Sequence, residues 1–171
     1  MQETDDGTGH AGWVGGPVPF SVWVIAALCI LPEIVLTGAD LRLWGQPWWR
    51  VLTYQYAGFW PGLLGNWQPN YAAQPAAMFV TYGFLHAGPW HLAVNMVTLL
   101  LLAGPVTARI GARGFLWAYA LSLLGGALGF AGLTSGPTPM VGASGALFGL
   151  AGVVLALEFD RRMARGLPAG H

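Results

Sequence analysis

The chain has 171 residues, of which only 8% are charged and 55% are hydrophobic, with a formal net charge of zero and a mean hydropathy of +0.55. That length allows one domain, the apolar balance excludes an ordinary soluble one, and zero net charge supplies no basic surface for nucleic acid. Every fixed positive charge is an arginine, and the one cysteine, Cys29, has no partner for an internal disulfide. Residues 1–19 read as a solvated tail carrying Glu3, Asp5 and Asp6, without the basic start of a secretory signal. The first apolar segment, over about 20–36, is just long enough to span a bilayer. Pro32 and Glu33 interrupt it near its end. A lone carboxylate facing lipid is expensive, so Glu33 sits at headgroup level or faces protein, and the headgroup level is the expectation.

Residues 38–85 form a long connection holding Trp44, Trp48, Trp49, Trp60 and Trp67. Tryptophan favours the membrane–water boundary, where its ring is half buried and its N–H finds a partner. The apolar runs here are broken by Pro47, Pro61, Gly62, Gly65, Pro69 and Pro75 and are too short to span. An interfacial lobe of short helices is therefore predicted. Arg50 follows Trp48-Trp49, and a guanidinium in such a place more often ties loop carbonyls together than performs chemistry.

After Gly88-Pro89 a second span is predicted over about 91–108, a third over 115–133 beyond Arg109 and Arg113, and a fourth over 144–158. Residues 160–171 form a further tail. Gly125 with Gly129, and Gly145 with Gly149, give the last two spans small-xxx-small faces, a pattern that usually serves close helix packing in lipid. The predicted fold is an all-α polytopic membrane protein: a membrane domain over 20–159 with four transmembrane helices and an external lobe between the first two. Arginine placement sets the orientation. Arg109, Arg113, Arg161, Arg162 and Arg165 share one side, against Arg42 and Arg50 on the other. Both termini are then cytoplasmic and the tryptophan lobe external, in a bacterial inner (plasma) membrane.

His91 and Asn95, four residues apart, share one helical face, and His86 can fold back toward it. Any one of these reads as a polar group satisfied within its loop; three at one end of a span point to a site. Ser144 opens the fourth span among small residues, and the topology brings it to the same depth. A serine hydroxyl attacks only when a base takes its proton and donors stabilise the oxyanion. His91, Asn95 and the Ser144 backbone N–H are suitable donors. A base is harder to find among His10, His86, His91 and His171, since a helix rises ~24 Å from Ser144 to Asp160 and carries His171 to the far side.

The run from His86 to Met96, spaced His-x4-His-x3-Asn, with Gly142-Ala143-Ser144-Gly145, resembles the rhomboid family of intramembrane serine proteases. Trp49-Arg50 is similar to the Trp-Arg pair of that family's first external loop. The resemblance covers about residues 20–157. It implies a six-helix core in which Ser144 is the nucleophile, His91 and Asn95 stabilise the oxyanion, and His86, Arg50, Gly142 and Gly145 are motif or structural positions. It also implies a catalytic-base histidine on the sixth helix; with four spans counted, the last two core helices and that base have no counterpart here. The implied activity is cleavage of transmembrane segments near their outer ends, by serine chemistry with no cofactor and no metal. A reading of another class is a catalytically inactive binder of membrane helices, favoured by the missing histidine. A metal or haem site on His86 and His91 lacks a second histidine pair, a CxxCH and an intramembrane carboxylate cluster. The expected partners are transmembrane protein substrates and the lipid bilayer, with self-association left open.

Overall fold

The computed structural model describes residues 18–134 and 136–166. The expected tails, with His10 and His171, lie outside these except for residues 18, 19 and 160–166. The described chain runs α1 (Phe20–Asp40), α2 (Trp49–Ala57), a 3₁₀ turn Pro61–Leu64, α3 (Gln74–Thr81), a second 3₁₀ turn Tyr82–Phe84, α4 (Pro89–Leu133) and α5 (Ser144–Ala164).

Helix α1 buries Val22, Ile25, Ala26, Cys29, Glu33 and Leu36 at intervals of three and four, and turns Phe20, Trp23, Leu28, Leu31 and Ile34 outward. Pro32 does not end it. The chain stays helical to Asp40, past the predicted end at 36, because packing against neighbouring helices offsets the lost N–H.

Helix α4 has 45 residues, ~68 Å if straight and about twice the hydrocarbon thickness of a bilayer. Gly111 alone departs from helical geometry, at φ 72° and ψ 172°, a conformation open to glycine but not to most side chains. The chain turns back there, so the predicted connection at Arg109–Arg113 is a one-residue break rather than a loop. The 89–110 arm runs parallel to α5, from His91 beside Gly142 down to Arg109 paired with Glu158 at 3.4 Å. The 112–133 arm returns antiparallel to α5, with Ser122 against Gly149 and Gly126 against Gly145. Phe115, Tyr119, Leu123 and Ala127, one every four residues, meet Leu99, Ala103, Val106, Ala146, Leu147 and Leu150 in a shared core.

Gly145 and Gly149 thus pack closely, but Gly125 and Gly129 do not: both face open space, and Gly126 makes the contact instead. The helix rotation that aims Leu123 and Ala127 inward selects Gly126. The outer faces carry Val97, Leu101, Trp117, Leu121, Leu128 and Leu155, all exposed, an apolar surface too continuous for water. By length and composition, α1 and α4 can cross a membrane.

Between α1 and α4 the short helices form a lobe. Trp44 lies across Gly38 and donates its indole N–H to the Val35 carbonyl at 3.0 Å. Trp60 donates to the Tyr54 carbonyl at 2.7 Å. Phe59 sits edge-on to Phe79, Tyr82 and Phe130, and its backbone pairs with Met140. That pairing ties the lobe to the segment that leads into Ser144.

Candidate active site

Ser144 is the first residue of α5. The first N–H groups of a helix lack intrahelical partners and carry the positive end of its dipole. Ahead of it, Gly142 is held at φ 119° by its N–H bond to the Tyr82 carbonyl at 3.0 Å. A Cβ at 142 would lie 2.7 Å from His91 Cε1, 3.0 Å from His91 Nε2 and 3.7 Å from Ser144 Oγ. Both the backbone angle and the space therefore require glycine, and they let the imidazole come up to the serine.

His91 lies in the first turn of α4. Its Nδ1 accepts the Ala87 N–H at 3.2 Å. A neutral imidazole that accepts at Nδ1 carries its proton on Nε2, the nitrogen nearer Gly142. One turn on, buried Asn95 donates to the His91 carbonyl at 2.8 Å, while its Oδ1 has no hydrogen-bond partner. A cavity of about 300 Å³ opens between α4 and α5, lined by His91, Asn95, Thr98, Ser144, Leu147 and Phe148 among others.

His86 folds back as a fully buried ring, edge-on to His91 at 5.2 Å between centroids. Neither of its nitrogens has a hydrogen-bond partner. Burial pushes its pKa down to about 4, and neighbouring His91 adds to that; the Glu33 carboxylate acts against it without reversing it. His86 is therefore neutral near pH 7.

Arg50 binds Glu33 through two bonds of 2.8 and 2.9 Å and Asp40 at 2.6 Å. It also holds the His86 carbonyl at 2.8 Å, which the Tyr54 hydroxyl shares at 2.6 Å. The bonds to Glu33 raise the guanidinium's pKa further, so it stays charged. Of the two places open to Glu33, headgroup level or facing protein, the second is observed. Glu33 is 2% exposed and faces protein, because a cation seventeen positions on in sequence meets it in space.

The rhomboid-domain family model matches residues 74–169, more than half of the chain. The chain belongs to the rhomboid family. The match takes in α3, α4 and α5 with His86, His91, Asn95 and Ser144, and leaves Arg50 and Glu33 outside it. No curated protein compared with the chain matches it. Family and apolar helices together make this rhomboid an integral membrane protein.

Four contributors to the candidate site carry no sequence signal of their own. Tyr82 is buried, donates to the Leu123 carbonyl at 2.7 Å and positions Gly142; an isolated tyrosine in a loop gives no hint of this. The Ala87 N–H belongs to the backbone. Thr98 and Phe148 line the cavity but read as ordinary span residues. Among the described residues, no group of three His, Cys, Asp or Glu side chains could hold a metal, and the only imidazoles are His86 and His91.

Proposed function

We propose that this rhomboid is an intramembrane serine endopeptidase that cleaves transmembrane segments, with Ser144 as nucleophile and His91 and Asn95 as oxyanion donors. The observation that carries the reading is the crowding of Ser144 Oγ and His91 Nε2 around Gly142, at a cavity between two apolar helices. A peptide carbonyl in that cavity would meet the serine oxygen on one side. The charge developing on its own oxygen would meet the His91 Nε2–H, the Ser144 backbone N–H and the Asn95 amide. The proton leaving Ser144 needs a base within about 3 Å or one water. His91 is committed to Ala87 and His86 is sealed in the loop, so the base comes from outside the described helices, through the cavity mouth.

The same reading takes α1, the two arms of α4, and α5 as four membrane passages, with both termini cytoplasmic and the tryptophan lobe outside the bacterial plasma membrane. Cysteines placed beside Arg109 and Arg113 should resist an impermeant reagent while those in the lobe react; the reverse pattern overturns this orientation. A second reading, an inactive binder of membrane helices, is favoured by the absence of a third imidazole among the described residues. Co-reconstitution with a reporter transmembrane segment separates the two. Cuts near the segment's outer end that vanish in Ser144→Ala support the protease; a segment that is bound and never cut supports the binder.

A further inference from the structure

The peptide unit joining His86 to Ala87 has both polar ends committed, to opposite parties. Its carbonyl accepts from Arg50 Nη1 at 2.8 Å and from the Tyr54 hydroxyl at 2.6 Å. Its N–H donates to His91 Nδ1 at 3.2 Å. A trans peptide is planar, so its C=O and N–H point in opposite directions and turning one turns the other. Arg50 is itself fixed, because both oxygens of the Glu33 carboxylate on α1 grip its guanidinium.

We propose that Arg50 and Tyr54, acting through this one peptide plane, set the tautomer of His91 and keep its proton on Nε2, facing Gly142 and Ser144. The tautomer of a neutral imidazole is set by the hydrogen bond that its other nitrogen makes, and here Nδ1 is offered a donor. A cation and a hydroxyl on the carbonyl polarise the same amide and strengthen its N–H as a donor, since linked hydrogen bonds reinforce one another. The buried His86 ring, edge-on to His91, keeps the imidazole from swinging away. Arg50 and Tyr54 are thus positioning residues that act through His91. The functional meaning of the device rests on His91 being an oxyanion donor; the tautomer is measurable without turnover.

Nitrogen-15 histidine NMR on the whole chain in lipid nanodiscs, with His91 assigned by difference from His91→Gln, reads which nitrogen bears the proton. With the ring neutral, the Nε2–H form should exceed the other about five-fold or more, the worth of one neutral hydrogen bond. Tyr54→Phe and Arg50→Gln each remove a donor from the carbonyl and should move that ratio toward parity. Tyr54→Phe loses one hydroxyl only and keeps the test available if Arg50→Gln fails to fold. A proton on Nδ1 in the parent chain, or a ratio unchanged in every folded variant, overturns the proposal. The expected tautomer together with unaltered Ser144 reactivity in His91→Leu, which has no donor, would uphold it and sink the oxyanion reading instead.

Discussion

Gly126 and Gly145 pass each other with no room for a side chain: a Cβ on Gly126 would sit 2.8 Å from the Gly145 Cα and 3.2 Å from the Tyr82 hydroxyl. The contact lies one residue from Ser144, so it sets where the serine stands relative to the core. Gly126→Ala should destabilise the fold by about 1–3 kcal/mol, the usual cost of overpacking, because the opposing atoms are backbone and cannot swing aside. Gly125→Ala, which meets nothing within 4 Å, should be neutral or slightly stabilising. Unfolding of both variants in mixed detergent micelles checks the difference; equal effects would remove this contact from the account.

The Arg50–Glu33 pair gives a second prediction. Glu33 is 2% exposed and the Arg50 side chain 16%, so neither charge can recover water if its partner is lost. Glu33→Gln should cost about 3 kcal/mol, whereas Asp40→Asn, at a carboxylate whose side chain is 38% exposed, should cost about 1 kcal/mol or less. The same unfolding assay ranks them, and a larger loss at Asp40 would contradict the assigned burial.

These two sites show how far the sequence could be read. Helix positions followed from the apolar runs, and the short helices of the lobe from its scattered prolines and glycines, because both patterns are local. The spacing His86, His91, Asn95 placed three groups at one helix start, and the structure holds them together there. What the sequence could not show was rotation and pairing. Gly125 and Gly126 are indistinguishable until the facing helix is known, and Glu33 reads as a lone carboxylate until Arg50 is seen to meet it. Tyr82 and the Ala87 N–H act through backbone bonds, which leave no trace in residue type.

His86 supplies a pH prediction. Its ordinary pKa is 6.5 and burial takes it to about 4, so between those values an unfolded chain binds a proton that the folded one does not. This contribution to stability is complete above pH 6.5 and is lost as pH falls toward 4, up to about 3 kcal/mol. His86→Leu should flatten the pH dependence of unfolding across that window. A slope that stays the same in the variant would assign it to another group.

Ser144 is the proposed nucleophile, served by a base from outside the described helices. The direct measurement is the rate at which a fluorophosphonate probe labels the purified chain in lipid, with and without imidazole as an external base, and with the labelled residue mapped by mass spectrometry. Labelling should fall on Ser144, quicken with imidazole concentration, vanish in Ser144→Ala, and slow about 100-fold or more in Asn95→Ala, the usual cost of losing one oxyanion donor. Labelling that persists in Ser144→Ala, or proceeds at full rate without imidazole, would contradict this assignment.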